Sequence, residues 1–177
     1  MEQLPGSVEI RPETSDDHEA VRRVVVSAFG SNIEADLVER LRSSPEYVPE
    51  LSLVATDHGT VVGHVMISHA RIRSQEEDGG TERRISMLSP LAVLPEAQKS
   101  GIGGALVRAA LGAADDRGEP LVVLEGSPLF YGRLGFEHAQ RHGIELPLPS
   151  WAPSEAGQAF LDREDQRVRT VIQTLSR

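Results

Sequence analysis

The sequence contains no cysteine, and that absence removes three classes of chemistry at once. A chain without thiols has no disulfide framework, no thiolate metal site and no cysteine nucleophile. Positive charge is also scarce: 18 Lys and Arg stand against 27 Asp and Glu, for a formal net charge of −9. Nucleic acid demands a basic face, so it is a poor partner for this chain. The acidic balance favours a cationic partner such as a primary amine. No window approaches the roughly 20 apolar residues that span a bilayer, and no membrane partner is expected. The opening run Met1-Glu2-Gln3-Leu4-Pro5 lacks a basic patch followed by an apolar stretch, which argues against a signal peptide. A cytoplasmic location is the expectation.

What is present reads as an ordinary globular chain. Its 177 residues are 39% hydrophobic and 25% charged, and one domain over 1–177 is the default at this length. About 70% of the unfolded chain's surface goes inside at such a size. There is no internal repeat or low-complexity tract.

Val8 to Pro12 alternates apolar and polar residues as a short strand does. Ser15 to Glu19 supplies a capping residue and first-turn acids, predicting a helix over Asp16 to Phe29 that Gly30 ends. Val21, Val24, Val25, Ala28 and Phe29 share its inward face. A second helix is predicted from Asn32 to Arg42, with Ile33, Leu37, Val38 and Leu41 inward. Leu51 to Thr56 and Thr60 to Ile72 read as strands joined by a hairpin at Asp57-His58-Gly59. Arg73 to Arg84 reads as an exposed hairpin tip, and Ile85 to Val93 as the next strand. Ser100 to Arg117 is a helix with Ile102, Leu106, Ala109, Ala110 and Ala113 inward. Pro120 to Leu124 is a buried strand, Pro128 to Leu134 a short helix and Gly143 to Leu148 a further strand. Ser154 to Leu161 carries a helix start, and Val168 to Leu175 is helix or strand. Strands joined by hairpins are antiparallel, while two joined through a helix are parallel. The expected fold is α/β (α+β): a mixed, mostly antiparallel sheet with helices on both faces.

No metal site is expected from the six histidines. His64 and His69 differ by an odd number and face opposite sides of one strand. His138 and His142 are four apart, but no carboxylate motif joins them. Trp151 reads as a packing residue.

The chemistry concentrates between Leu88 and Phe136. Pro90 lies inside an otherwise buried strand, where it cannot donate to the ladder. A break there frees the amides of Leu91, Ala92 and Val93 for a ligand; a simple edge strand is the alternative. Next, Gln98-Lys99-Ser100-Gly101-Ile102-Gly103-Gly104 runs into an apolar helix. Glycine costs about 0.8–1 kcal/mol against alanine inside a helix. Without side chains, however, the first-turn amides can reach a phosphate, aided by the helix dipole. Tight packing on the sheet is the competing reason for these glycines. The Gly-Lys-Ser/Thr ending of a P-loop is missing, and Leu106 stands where a dinucleotide fingerprint needs its third glycine.

The run from Leu91 to Gly104 resembles the signature of the GNAT acetyltransferase superfamily, a strand followed by Gln/Arg-x-x-Gly-x-Gly/Ala and a helix. Phe130-Tyr131-Gly132-Arg133-Leu134-Gly135-Phe136 is similar to that family's Tyr-x-x-x-Gly-Phe element. Leu124 to Pro128 resembles a subgroup of small bacterial members. The resemblance implies a splay between the fourth and fifth strands that admits the pantetheine arm of acetyl-CoA. Leu91, Ala92 and Val93 would hold the acetyl and pantetheine groups. Amides from Gln98 through Lys99, Ser100, Gly101 and Gly103 to Gly104 would hold the pyrophosphate. Transfer would be direct, from thioester to amine, with Tyr131 as general acid. Glu34 and Glu125 are the two base candidates, and neither is singled out. Relatives often carry an Asn before the tyrosine helix where this chain has Gly126-Ser127-Pro128, which bears on acceptor binding. A homodimer is also compatible with the resemblance. Two rival readings are a non-catalytic CoA-binding sensor or assembly module, and a nucleotide-binding regulator.

Overall fold

The computed structural model describes residues 4–74, 80–147, 150, 152 and 154–161. Alternating Val8 and Ile10 form β1 (Val8–Pro12), which pairs antiparallel with β2 (Ser52–Asp57), Ile10 lying opposite Ala55. The turn to β3 (Thr60–Arg73) uses His58 and Gly59, both at positive φ (47° and 80°), as a two-residue hairpin of this hand requires. Two helices separate β1 from β2. α1 (His18–Phe29) ends on Gly30 in the left-handed region at φ 69°, and α2 (Ile33–Arg42) follows after a three-residue turn.

β4 (Glu82–Val93), α3 (Ile102–Asp116), β5 (Leu121–Glu125) and α4 (Pro128–Gly132) come next, then β6 (Glu137–His138) and β7 (Gly157–Leu161). Among the described residues, seven strands lie in the order β1-β2-β3-β4-β5-β7-β6. β4 and β5 are parallel, with Ser86 opposite Val122 and Met87 opposite Val123, whereas β7 is antiparallel to both β5 and β6. β4 runs through Pro90 rather than breaking there. It does carry an irregularity. From Leu94, whose amide bonds Val62 O at 2.9 Å, back to Thr81, whose carbonyl accepts from Ser74 N at 3.1 Å, the β4 side takes thirteen residue steps against twelve on the β3 side.

The chain divides into two compact units, Met1–Ser68 with Leu88–Ala114, and His69–Met87 with Asp115–Arg177. In the first, Val21, Val24 and Val25 of α1 and Ala35 and Val38 of α2 pack with Val54, Val61, Met66 and Ala92 of the strands. α3 covers the other face. A Cβ on Gly63 of β3 would meet Leu106 Cδ1 at 2.8 Å and Ile102 Cγ2 at 3.3 Å, so glycine there permits close seating of α3. This unit also buries a polar group. Arg42 holds Glu13 through two bonds (3.0 and 2.6 Å), and Tyr47 donates to the same carboxylate at 2.9 Å. His64 is fully buried beneath α1 and α2, its Nδ1 hydrogen-bonded to Leu53 O at 3.1 Å and its Nε2 without a partner among the described residues.

The second unit packs Ile85, Leu121, Val123, Ala139, Ile144 and Ala159 together. Glu119 there is held by His69 Nε2 (2.9 Å) and Ser86 Oγ (2.8 Å).

Several expectations need correction. Phe29 and Ile33 are 45% and 72% exposed rather than inward: they are the last residue of α1 and the first of α2, at helix ends where the spacing gives a face but the cover of the core has stopped. α3 buries Val107, Leu111 and Ala114 alongside Ile102, Leu106 and Ala110, while Ala109 and Ala113 are half-buried. Residues 144–147 form no strand. Instead a 3-10 turn over Ala139–His142 ends on Gly143 (φ 69°), and Ile144 N returns to Ala139 O at 3.1 Å. The helix start at Ser154 yields one 3-10 turn, Ser154–Ala156, after which the chain becomes β7. Residues 75–79 of the expected hairpin tip, Trp151 and the segment Val168 to Leu175 lie outside the described residues.

Candidate active site

Two of the sequence motifs fold into local devices, one in each unit. The first follows β4. Leu94 N bonds Val62 O, and a 3-10 turn over Pro95–Ala97 reverses the chain. Gln98 then donates from Nε2 to Val93 O at 3.1 Å, tying the loop to the strand's last residue. Ser100 Oγ caps Ala97 O. Gln98 and Ser100 therefore spend their side chains on the loop itself. Lys99 (φ 59°) and Gly101 (φ 82°) both adopt the left-handed region, and this double reversal aims the chain into α3.

The first bond of α3 runs from Ala105 N to Gly101 O at 3.0 Å. The N–H groups of Ile102, Gly103 and Gly104 therefore precede the ladder, and point out of the helix end as donors. A side chain at Gly104 would meet the Arg108 guanidinium at 3.4 Å. Arg108, one turn along, thus folds back over the glycine, as long helical side chains do. Neither Arg108 nor Lys99 has a hydrogen-bond or ion-pair partner among the described residues. The arrangement is a cluster of amide donors at the positive end of a 15-residue helix, flanked by two cations, which suits a phosphate ester. Arg108 escaped sequence reasoning, although its i, i+4 spacing from Gly104 could have found it. Leu91 is half-buried, and Ala92 and Val93 are buried, at the end of β4.

The second device follows β5. Glu125 ends the strand opposite Gly157 and is exposed. Ser127 caps α4, its Oγ accepting from Phe130 N at 3.3 Å, with Pro128 in the first turn. Tyr131 is 8% exposed, between Phe130 (ring centroids 4.9 Å apart) and Phe136 (5.5 Å), both edge-on. Phe136 N and Leu134 N both bond Tyr131 O, closing the Tyr-x-x-x-Gly-Phe turn. Burial pushes the phenol up to about 12. Its hydroxyl has no hydrogen-bond partner among the described residues, and the upward shift keeps the phenol protonated at neutral pH.

Glu34 sits in the first turn of α2, half-buried, and accepts from Ser31 Oγ at 2.6 Å. No described bond joins it to β4 or to the loop before α3. Among the described residues no group of three or more His, Cys, Asp or Glu is placed to hold a metal ion, and no helix is long and apolar enough to cross a membrane.

Comparison with known proteins bears directly on these devices. The chain matches the family model of the acetyltransferase (GNAT) domain over residues 9–139. It is 35% identical over 134 residues to the uncharacterized N-acetyltransferase YjhQ of Escherichia coli K12, covering 75% of this chain and 72% of that one. A second Escherichia coli protein, the uncharacterized N-acetyltransferase YhbS, is 32% identical over 141 residues (79% and 80% covered). The crystal structure of Escherichia coli YhbS in complex with CoA superposes with a TM-score of 0.74 at 30% identity, covering 90% of this chain and 82% of that one. A GNAT family acetyltransferase from Brucella melitensis in complex with acetyl-CoA gives 0.70 at 28% identity, with 89% and 90% covered. With the Gly-rich helix start and the Tyr-x-x-x-Gly-Phe turn both inside the matched region, the chain belongs to the GNAT acetyltransferase family.

Proposed function

We propose that this chain transfers an acetyl group from acetyl-CoA to a primary amine by direct attack. The observation that carries this reading is the start of α3, where the amides of Ile102, Gly103 and Gly104 stand free between Lys99 and Arg108. A pyrophosphate fits such a donor set, and the complexes of the two structural relatives with CoA and acetyl-CoA support that choice. On this reading Leu91, Ala92 and Val93 bind the pantetheine and acetyl groups. A backbone amide there that polarises the carbonyl is worth about 10²–10³ in rate.

The amine nitrogen attacks the thioester carbon, the C–N bond forms, and the C–S bond breaks. The nitrogen loses a proton and the departing sulfur gains one. Tyr131 is the proton donor: burial holds the phenol at about 12, so it is fully protonated when the thiolate leaves. Glu34 and Glu125 remain the candidates for the base, and each has a carboxylate free of any described ion pair. The acidic surface suits a cationic acceptor.

Thiol release from acetyl-CoA across a grouped panel of amines tests the proposal. Turnover is expected with at least one amine class, and Tyr131→Phe should lower kcat with an unchanged calorimetric Kd for acetyl-CoA. Tight acetyl-CoA binding without thiol release on any amine would instead assign a binding module. Tighter binding of ATP than of acetyl-CoA would assign a nucleotide regulator.

A further inference from the structure

Of the chain's 18 Lys and Arg residues, one is a lysine, Lys99, and the other 17 are arginines. A guanidinium is never deprotonated in a protein and offers no nucleophile, so Lys99 carries the only side-chain amine in the sequence. Its place is as particular as its number. It is exposed and stands at φ 59° in the reversal that leads into α3, a backbone region where a residue with a Cβ is uncommon and glycine sits at no cost. The loop is held without its side chain: Gln98 Nε2 bonds Val93 O at 3.1 Å, and Ser100 Oγ caps Ala97 O. No described residue pairs with its ammonium.

An arginine at this corner would grip a phosphate at least as well, through its two-pronged donor geometry. What a lysine adds is a nucleophile. The amides of Ile102, Gly103 and Gly104, which precede the α3 ladder, follow it closely in the chain, and a phosphate seated on them has an amine for a neighbour. When that phosphate belongs to acetyl-CoA, the pantetheine arm carries the acetyl group away toward Leu91, Ala92 and Val93, on the reading given above. An acyl phosphate behaves differently. A single oxygen joins its phosphorus to its acyl carbon, so the group that the amides hold brings the electrophile to the same corner.

We propose that Lys99 is an acylation site served by acyl phosphates, and that its acylation weakens the binding of acetyl-CoA. This goes beyond acetyl transfer but rests on the phosphate-binding role given to the start of α3. The Lys99 ammonium first yields a proton to water. The neutral Nζ then attacks the acyl carbon, the C–N bond forms, and the bond from that carbon to the phosphate oxygen breaks. The nitrogen's extra proton goes to the departing phosphate. The product is a neutral amide where a cation stood beside the phosphate site.

The test uses acetyl phosphate on the full chain, beside an end-blocked peptide of residues 95–101 that carries the same lysine outside the fold. Mass spectrometry after proteolysis follows the acetyl group on Lys99. The lysine should react at least about tenfold faster in the chain than in the peptide, because the donor is held in place. CoA and inorganic phosphate should each suppress that advantage, and acetyl-CoA at the same concentration should show none. The acetylated chain and Lys99→Gln should each bind acetyl-CoA more weakly, by up to about fivefold at low salt, while Lys99→Arg should keep the parent affinity. Equal rates in chain and peptide, or an advantage that bound CoA leaves untouched, overturn the inference; acetyl transfer, read separately by thiol release with amines, would still stand. Faster labelling of Lys99 from acetyl-CoA than from acetyl phosphate overturns it too, since the lysine would then be an acceptor of the transfer reaction. Unchanged acetyl-CoA affinity after complete acetylation overturns it as well. If CoA does not bind at all, the reading of the α3 start fails first and takes this inference with it.

Discussion

The ring of Tyr131 fills the space that a side chain at Gly126 would need. A Cβ built on Gly126 would run into Tyr131 Cε2, and would stand 2.9 Å from Cδ2 and 3.2 Å from Leu124 Cδ1. Glycine here is a condition of where the phenol sits. Gly126→Ala should push the ring out of its seat between Phe130 and Phe136, costing about 1–3 kcal/mol of stability as overpacking does. It should lower kcat at least tenfold, with the affinity for acetyl-CoA retained. A thermal melt and saturating kinetics on the same preparation check both. A variant that melts lower yet turns over normally would separate Tyr131 from the chemistry.

Arg108 folds over Gly104 with no described partner of its own, and it should act on phosphate charge. Arg108→Gln should weaken acetyl-CoA binding by about tenfold at low ionic strength, as expected for loss of a charge-assisted contact. The penalty should shrink in high salt, where exposed charges are screened. Calorimetry at two salt concentrations measures it; a salt-independent loss would point to altered helix packing.

His64 predicts a pH dependence of stability. Burial is the main cause that pushes its imidazole down to about 4, against about 6.5 in an unfolded chain. Between these values the unfolded state takes up a proton that the folded state refuses. The contribution is therefore complete above the unfolded value, and is lost as pH falls from about 6.5 to 4, by up to about 3 kcal/mol. Urea titrations at pH 7 and pH 4.5 should show that loss. His64→Leu should be less stable at pH 7, since Leu53 O loses its partner, but its stability should change less between the two pH values.

Arg42 and Glu13 have side chains only 9% and 1% exposed. Burial raises the Glu13 carboxyl, but the Arg42 hydrogen bonds and neighbouring positive charge outweigh it and bring the group down to about 2. Removing one partner leaves a buried charge unpaired. Arg42→Met should cost about 3–5 kcal/mol, and Glu13→Leu with Arg42→Met should recover much of it. Denaturant unfolding of both variants settles the matter; an equal loss in the double variant would mean that packing around Arg42 carries the effect.

The motif-bearing residues were largely legible in the sequence because their signals are local. A two-residue turn at His58-Gly59, a terminator at Gly30 and glycines at 101, 103 and 104 each act within a few residues of themselves. The C-terminal part was not legible for the opposite reason. Gly157-Gln158-Ala159-Phe160-Leu161 shows no alternation, and its strand identity comes from β5 on one side and β6 on the other. Ser154 reads as a helix start because capping chemistry is the same whether one turn follows or four. At the α1–α2 turn, helical spacing assigned Phe29 and Ile33 to the core, although periodicity gives a face and not how far along its length a helix stays covered.

By itself, then, the sequence determined the order of elements up to α4, the glycine-lined entry to α3 and the tyrosine turn, because backbone conformation and capping are decided by near neighbours. Tertiary structure alone decided that β7 lies between β5 and β6, that Arg42 and Glu13 meet as a buried pair, and that the Tyr131 ring requires Gly126. Each of these depends on which surfaces meet, and burial, ion pairing and steric fit are set by residues distant in the chain or a helical turn away.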